Sequence, residues 1–219
     1  MSKIIVLIGA PGAGKGTQAR LLQERHGVPQ ISTGDIFREM KNADTPLARE
    51  VQETMAAGKL ISDDLTYKIV RERTSRDDCS EDYLLDGYPR TLVQAEQLEG
   101  LADEQGKTIA AVDVDVDRAE LMRRLTGRRS CGVCGEIYNV YSKPPKVDGV
   151  CDFHPDTLLT HRADDNEESV GIRLATFDTA TKPLLDYYEQ SGRLAKVDGS
   201  GDFEDIYRAI VDAVGFGRN

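Results

Sequence analysis

The sequence predicts an α/β fold, in which a five-stranded parallel sheet is flanked by helices and carries two inserts. Three observations support this prediction. Short apolar runs alternate with segments of helical character along the 219-residue chain. The first run leads directly into a glycine-rich turn, and two stretches, residues 32–61 and 127–165, interrupt the alternation. We therefore expect one core formed by residues 1–31, 62–126 and 166–219, with the two inserts as mobile flaps on it.

The strands and helices of this core can be assigned from composition and periodicity. Strands are expected where short runs are rich in apolar and β-branched residues, at residues 4–8, 29–32, 83–86, 110–116 and 195–198. Helices are expected at residues 18–24, 34–42, 46–57, 65–73, 91–105, 119–125, 167–191 and 202–214. In the last helix the apolar side chains recur at helical spacing, which predicts a face that packs on the core.

The glycine-rich turn at residues 9–17 (GAPGAGKGT) predicts a site for the phosphates of a nucleoside triphosphate. Between a strand and a helix, such a turn directs backbone N–H groups and the positive end of the helix at an anion. Glycines are needed because a Cβ would hold the backbone away from the phosphate. Lys15 adds a charge that can reach the terminal phosphates, whereas Gly16 stands where Ser or Thr usually binds Mg²⁺. Magnesium is expected with the nucleotide, but Thr17 need not be its direct ligand.

The composition is that of an ordinary globular protein, with 39% hydrophobic and 30% charged residues. The formal net charge of −10 argues against non-specific binding to nucleic acid or to anionic membranes. No apolar run reaches the length of a membrane span, and the first one leads into the glycine-rich turn rather than to a signal cleavage site. We therefore expect a cytoplasmic protein that concentrates its positive charge where it binds anions.

Three of the four cysteines lie in the second insert, and their spacing predicts a metal site. Two residues separate Cys131 from Cys134 and Cys151 from His154, which lets a tight turn direct two side chains at one ion. A lobe of this size buries too little apolar surface to be rigid without a cross-link. Because a disulfide is unstable in a reducing cytosol, we predict a closed, structural zinc site.

Several alternatives to this site stay open from the sequence alone. The cysteines could be free or oxidised thiols, or they could bind iron, which would prefer a fourth sulfur. The fourth ligand could also be Asp152 or His161, although Asp152 adjoins Cys151 and has poor geometry. Cys79 has no partner nearby in the sequence and is expected to be a buried, inert thiol.

Positive charge recurs at separate places along the chain, namely Arg38, Arg90, Arg124, Arg128, Arg129, Arg162 and Arg173. Asp86 is expected at the carboxyl end of a strand, the edge where an open α/β sheet collects its ligands. Together with the turn at 9–17, the segments ISTGD (31–35), DGYPR (86–90) and RADD (162–165) follow in the order found in adenylate kinases. The chain resembles this family of nucleoside monophosphate kinases over essentially its whole length. Its second insert resembles the zinc-bearing lid of bacterial long-form members, and residues 32–61 resemble the flap that binds the monophosphate.

The resemblance implies roles for individual residues. The implied ATP site comprises Gly12, Ala13, Gly14, Lys15, Gly16, Thr17, Arg124, Arg128, Ile137, Tyr138 and the backbone of Gly201. The implied AMP site comprises Thr33, Arg38, Lys59, Leu60, Ile61, Gly87, Tyr88, Pro89, Arg90, Gln94, Arg162 and Arg173, with Gln94 facing the adenine. The implied catalytic cations are Lys15, Arg90, Arg128, Arg162 and Arg173. Asp86 would coordinate magnesium through water, and the lid zinc would be held by Cys131, Cys134, Cys151 and His154, where related lids often have Cys or Asp as fourth ligand.

The implied reaction is the reversible transfer of the γ-phosphoryl group of MgATP to AMP, which yields two ADP. Because the acceptor is an ionised phosphate oxygen, no carboxylate is needed as a general base. The family also implies a monomer. Two alternatives remain within enzymes: a UMP or CMP kinase, whose lid is usually short and lacks cysteines, and a GTP-using relative that phosphorylates AMP. A third, from another class, is an ATP-dependent nucleic-acid-binding protein with a zinc ribbon, which the net acidity argues against.

Overall fold

A computed structural model describes residues 2–40 and 43–216 of the chain. The strands are β1 (Lys3–Ile8), β2 (Gln30–Ser32), β3 (Tyr83–Asp86), β4 (Thr108–Asp115), β5 (Arg128–Cys131), β6 (Ile137–Asn139), β7 (Leu159–Thr160) and β8 (Leu194–Asp198). Five of them form a sheet in the order β2-β3-β1-β4-β8, in which every neighbouring pair is parallel. The expected fold class is therefore confirmed.

Helices connect these strands and cover both faces of the sheet, as parallel pairing requires. They are α1 (Lys15–His26), α2 (Thr33–Glu39), α3 (Pro46–Ala56), α4 (Asp63–Thr74), α5 (Leu92–Gln105), α6 (Arg118–Thr126), α7 (Glu167–Thr176), α8 (Pro183–Gln190) and α9 (Phe203–Val214). In the part of the chain that the structure describes, no helix combines the length and apolar character needed to cross a membrane.

The alternating side chains of the sheet divide the core into two layers. On one face Ile5, Val112 and Val114 pack against α1, α6 and α9. On the other face Ile4 and Leu85, with their neighbours, pack against α5 and α8. Both faces of the central strand are thus fully buried, which explains why its sequence is a continuous apolar run rather than an alternating one.

Several predicted boundaries were wrong by a few residues. The strand predicted at 110–116 spans Thr108–Asp115, and the one predicted at 195–198 begins at Leu194. The helix expected at 34–42 spans Thr33–Glu39, and its predicted last two positions, 41 and 42, lie outside the described residues. The helix expected at 65–73 starts earlier, at Asp63, because acidic residues are favourable in a first turn.

One long helix predicted at residues 167–191 is interrupted. It consists of α7, a π-helical stretch at Phe177–Thr181 and α8, which begins at Pro183. Proline has no N–H, and its ring conflicts with the carbonyl group four residues earlier. The wider turn accommodates it, and the Lys182 N–H donates to the Phe177 carbonyl at 2.8 Å. Periodicity alone did not show this break.

The second insert has a small sheet of its own. Strands β6, β5 and β7 pair antiparallel in that order, beginning at Arg128 directly after α6. Its apolar cluster consists of Cys131, Tyr138 and Cys151, with Leu159 packed against them. Hairpins and turns were expected here, and the structure contains them.

Candidate active site

The glycine-rich turn at residues 9–17, called the phosphate loop below, connects β1 to α1 and leaves the positive end of the helix open. Gly14 is the N-cap of α1 with a φ of +97°, a conformation that favours glycine, and no side chain caps the helix. Nothing lies within 4 Å of a Cβ built on Gly14, whereas a Cβ on Gly9 would come within 2.6 Å of the Val114 carbonyl oxygen. The loop is thus packed against the sheet at its start and accessible to an anion at its end.

Lys15, the first residue of α1, folds back over this loop. Its Nζ donates hydrogen bonds to the carbonyl oxygens of Gly9 (2.7 Å) and Ala10 (3.0 Å). Burial, together with repulsion from nearby arginines, lowers the pKa of Lys15 to about 8, although Asp86 attracts its charge. A bound anion would favour the protonated form again, which is the behaviour expected of a phosphate-binding lysine.

Asp86 lies where three strands end at one edge of the sheet. In the parallel register it stands opposite Leu7 of β1 and Ser32 of β2. Its Oδ2 is 3.4 Å from the position that a Cβ on Gly16 would occupy, so the carboxylate reaches the phosphate loop itself. Oxygen ligands at this place suit Mg²⁺ that keeps its waters and accompanies a nucleotide.

Two of the predicted catalytic arginines, Arg90 and Arg162, form no ion pair with a carboxylate in the part of the chain that the structure describes. Among the described residues, no Asp or Glu lies within ion-pair distance of the Arg90 or Arg162 guanidinium. Burial, followed by repulsion from Arg128 and Arg38, lowers the pKa of Arg162 to about 10. Burial also lowers the pKa of Arg90. Positive charge is therefore held together here without full compensation, a condition that an anionic ligand relieves.

Two further arginines are positioned by one buried carboxylate. Arg128 donates from Nε and Nη2 to Asp165 Oδ2 and Oδ1, at 2.8 and 2.5 Å. Arg173 donates from Nη1 to the same Oδ1 at 3.0 Å and forms an ion pair with Asp164. The Asp165 side chain is completely buried. Asp165 thereby fixes the orientation of the Arg128 guanidinium on β5 relative to the Arg173 guanidinium on α7.

A pocket lies beside this cluster, between α2, the segment after α3 and the turn after β3. It is lined by Thr33, Gly34, Phe37, Met55, Lys59, Leu60, Ile61, Thr66, Gly87, Arg90 and Gln94. Seven of these are among the residues assigned to AMP by resemblance, and they come from three separate parts of the chain. The sequence-predicted residues are thus brought together around one cavity.

The other residues predicted for AMP lie outside the pocket lining. Arg38 pairs with Asp35 at 2.6 Å. Tyr88 is buried, and its hydroxyl donates to the Gln94 carbonyl at 3.1 Å, so this side chain supports the pocket from behind. Pro89 adjoins it in the turn, whereas Arg162 and Arg173 belong to the arginine cluster described above.

On the opposite side of the phosphate loop, α6 and the turn after β8 approach each other. Arg124 donates from Nη1 to the Gly199 carbonyl at 3.1 Å and from Nε to Glu120 at 3.0 Å. Gly201 follows in the same turn and is exposed, with nothing within 4 Å of a Cβ built on it. Gly201, one of the predicted ATP residues, thus lies on an open surface, whereas Ala13 in the phosphate loop is buried.

The two lid residues predicted for ATP differ in what they can offer. Ile137 is half-buried, whereas Tyr138 is only 2% exposed. The Tyr138 hydroxyl lies 3.6 Å from Cys151 Sγ and accepts a hydrogen bond from the Asp152 N–H at 2.9 Å. This side chain is therefore part of the lid's own core, and only its backbone is left to contact a nucleotide.

The four predicted metal ligands form one cluster in the lid. The donor atoms of Cys131, Cys134, Cys151 and His154 all lie within 4.8 Å of one another. Burial opposes ionisation of Cys151, but hydrogen bonds from Tyr138 and His154 lower the pKa of its thiol to about 6. Three sulfurs and one imidazole with this proximity can hold a metal ion.

The structure also distinguishes among the alternatives for the fourth ligand. Asp152 Oδ1 accepts a hydrogen bond from the Lys146 N–H at 2.8 Å, so its carboxylate is engaged elsewhere. His161 is exposed and lies outside the cluster. Cys79 is buried in the core, where burial raises the pKa of its thiol. His154 is the residue whose ring nitrogen reaches the sulfurs, 3.8 Å from Cys151 Sγ.

Three supporting residues were not singled out from the sequence. Asp165 holds two arginines, Thr181 donates to the Arg90 carbonyl at 2.9 Å, and Asp63 accepts a hydrogen bond from Gln94 at 2.8 Å. Asp165 stands in the RADD segment, but its partners Arg128 and Arg173 lie outside that segment and were not indicated by it. The sequence around Asp63 indicated only the start of a helix, and that around Thr181 only a helix interior. Their hydrogen-bond partners, Gln94 and Arg90, are distant in sequence.

The comparisons with known proteins point to one family. A family model described as adenylate kinase matches residues 7–193. An adenylate kinase of Bacillus subtilis (strain 168) is 47% identical over 212 residues, which cover 96% of this chain and 97% of that protein. Adenylate kinases of Nitrosococcus oceani and Staphylococcus aureus (strain N315) are 46% and 44% identical, each over at least 94% of both chains. The chain therefore belongs to the adenylate kinase family.

Proposed function

We propose that Lys15, Arg90, Arg128, Arg162 and Arg173 carry out the phosphoryl transfer between ATP and AMP that defines this family. One observation supports this most directly: these cations come from five separate segments, and arginines of the cluster lower the pKa values of other members. The pKa values of Lys15, Arg90, Arg162 and Arg173 are all lowered, in each case by burial first and then by neighbouring arginines. Such a cluster is stabilised when the triphosphate of ATP and the phosphate of AMP bind between its members.

The two nucleotides would approach this cluster from opposite sides. ATP would place its phosphates on the loop at residues 12–17 and its base near Arg124 and Gly201. AMP would occupy the pocket between α2, the segment after α3 and the turn after β3, with its phosphate toward Arg90. This arrangement brings the phosphates of both nucleotides to the carboxyl edge of the sheet, as is usual for this architecture.

Charge stabilisation carries the chemistry in this proposal. The attacking AMP phosphate oxygen is already ionised, so the protein has no proton to remove. The task is to align donor and acceptor and to stabilise the charge spread over the transferring group, which guanidinium forks do well. Magnesium that accompanies ATP would be held through water by Asp86, and it would neutralise phosphate charge.

We also propose that the lid cluster binds zinc in a structural role. Cys131, Cys134, Cys151 and His154 supply four ligands, so no coordination position is left for a substrate. The Val133 N–H donates to Cys131 Sγ at 3.4 Å, the kind of outer contact that orients a thiolate. Zinc would keep the lid, residues 127–165, in one piece.

The two inserts have a further task in this proposal. Water competes with AMP as phosphoryl acceptor, so transfer requires a site from which water is excluded. Closure of residues 32–61 over AMP and of residues 127–165 over ATP would accomplish this. The remaining expectations from the sequence, a cytoplasmic monomer that binds no nucleic acid and prefers AMP to UMP or CMP, stay predictions. A coupled assay with each monophosphate in turn tests the last of them.

Removing a cluster arginine tests the catalytic assignment. Arg90→Ala and Arg162→Ala should each lower kcat by about a thousandfold or more, because each removes charge that stabilises the transition state. Neither arginine pairs with a carboxylate, so the fold should persist, as thermal unfolding would show. Arg76→Ala is the matched control, since Arg76 pairs with Glu72 on the exposed surface of α4. Near-normal turnover in either cluster variant would refute the assignment.

A further inference from the structure

Gln94 is a buried side chain that lines the pocket proposed for AMP. It is only 2% exposed and lies in the first turn of α5, whose N-cap is Thr91. The side-chain amide has an acceptor end (Oε1) and a donor end (Nε2), and in an isolated glutamine the two ends exchange freely by rotation. Which end faces which way therefore decides what the pocket can recognise.

Two contacts fix the orientation of this amide. The Arg90 backbone N–H donates to Gln94 Oε1 at 2.7 Å, and Gln94 Nε2 donates to Asp63 Oδ1 at 2.8 Å. A backbone N–H can only donate and a carboxylate can only accept. Reversing the amide would place N–H against N–H at one end and oxygen against carboxylate at the other. Only one orientation satisfies both neighbours.

Asp63 is itself held in place by the cap of α5. The Thr91 hydroxyl donates to Asp63 Oδ1 at 3.1 Å and accepts a hydrogen bond from the Gln94 N–H at 3.2 Å. One carboxylate oxygen therefore receives donors from two residues that share a helical turn. Asp63 thus links α4 to α5 and holds the Gln94 amide in a fixed position.

The fixed amide has one acceptor position and one donor position left for a ligand. Oε1 keeps a second lone pair and Nε2 keeps a second hydrogen. Adenine presents the complementary pair, an amino group next to a ring-nitrogen acceptor, and it is the base that a glutamine amide binds with two hydrogen bonds. A 6-oxo purine such as hypoxanthine presents an oxygen where adenine has the amino group, and that oxygen would face Oε1.

We propose that Asp63 determines base specificity by locking the Gln94 amide in the orientation that accepts a 6-amino purine and rejects a 6-oxo purine. Asp63 does not touch the nucleotide; it acts through Gln94 and is a positioning residue. The proposal rests on the AMP pocket assigned above, and it goes further by naming what discriminates among purine monophosphates. Sites that hydrogen-bond a substrate group discriminate strongly when a partner is left unpaired.

The test compares AMP with IMP, which differs from it at position 6 of the base. Asp63→Asn replaces a group that only accepts by one that can donate or accept, so it removes one of the two contacts that oppose reversal of the Gln94 amide and leaves only the Arg90 N–H. We expect the ratio of kcat/KM for AMP to that for IMP to fall at least tenfold, which corresponds to about 1.4 kcal/mol. KM for ATP should stay unchanged. Asp64→Asn is the matched control, because Asp64 is the exposed neighbour on the same helical turn.

An unchanged ratio of kcat/KM for AMP to that for IMP in Asp63→Asn would overturn the proposal. Equal losses for both substrates give this result, and they are what a merely structural role produces. Gln94→Ala separates this failure from that of the pocket assignment. If Gln94→Ala leaves KM for AMP unchanged, the pocket itself is wrong. If it raises that KM while Asp63→Asn keeps the original ratio, only the lock is wrong. Should Asp63→Asn fail to fold, Asp63→Ser carries the same test, since a hydroxyl also donates and accepts.

Discussion

At the scale of single residues, Lys15 shows how its surroundings change the chemistry of one side chain. A lysine in water keeps its proton until far above neutral pH. Here burial and the neighbouring arginines lower its pKa to about 8, while its Nζ is held by two loop carbonyl groups. The protein therefore maintains an ammonium group that is poorly compensated until phosphate arrives.

This predicts proton uptake when ATP binds under alkaline conditions. Since bound phosphates favour the charged form, the pKa of Lys15 rises on binding, and the protein takes up protons at pH values above about 8. Titration calorimetry at about pH 8.5, in two buffers of different ionisation enthalpy, should report uptake of a measurable fraction of a proton per ATP bound. Lys15→Arg carries a permanent charge, so its uptake should vanish. Equal uptake by both proteins would contradict the role of Lys15.

Single residues were predictable where their signal is local. The loop at 9–17 and the candidate metal ligands Cys131, Cys134 and Cys151 follow from spacing within a few positions. The hydrogen-bond partners of Gln94 and Arg128 could not be predicted in this way, because Asp63 and Asp165 lie 31 and 37 positions away from them in the chain. Such pairs form only when the fold brings distant segments together, and a single sequence does not state which segments meet.

At the scale of elements, the contact between α3 and α7 joins the pocket proposed for AMP to the arginine cluster. The Ser169 hydroxyl on α7 donates to the Ala56 carbonyl at the end of α3, at 3.1 Å. Gly58 follows with a φ of +71°, and a Cβ there would lie 2.9 Å from the Ser169 carbonyl oxygen and 3.2 Å from Arg173 Cγ. The backbone of this segment thus lies directly against the helix that carries Arg173.

Gly58→Ala should therefore weaken AMP binding as well as stability. The new methyl group must push the segment away from α7, which shifts residues 59–61 in the pocket. We expect KM for AMP to rise several-fold, with KM for ATP unchanged. Gly192→Ala is a matched control, since Gly192 has a φ of +67° and nothing within 4 Å of its Cβ position. It should show only the backbone cost of about 1–2 kcal/mol in unfolding free energy. Equal kinetics in the two variants would contradict this contact.

The elements themselves were largely predictable, because most of them carry complete local patterns. The strand at Lys3–Ile8 is a continuous apolar run, and α9 has one apolar face that includes Ile206 and Ile210. The break between α7 and α8 was missed, since the sequence keeps its helical spacing across Pro183 and the π-helical stretch fits the proline without a loop. The start of β4 was missed because pairing with Lys3 and Ile4 of β1 extends the strand back to Thr108 and Ile109.

At the scale of the whole molecule, the core and the lid are stabilised differently. The core buries two large apolar clusters on the faces of its sheet. The lid has only three buried members in its cluster, of which two are cysteines. Apolar lid residues such as Val133, Phe153 and Leu158 are 64%, 70% and 73% exposed. Apolar burial alone therefore gives the lid little stability, and a metal cross-link would supply the rest.

Metal removal should consequently melt the lid before the core. With zinc chelated, calorimetry should show a lid transition at lower temperature, while the core transition stays and transfer at low temperature largely persists. His154→Ala should reproduce this and lose zinc in metal analysis. His161→Ala should keep the metal, because His161 is exposed and outside the cluster. Immediate and complete loss of phosphoryl transfer in a metal-free protein that is still folded would contradict a purely structural role, because the metal would then be needed for the reaction itself.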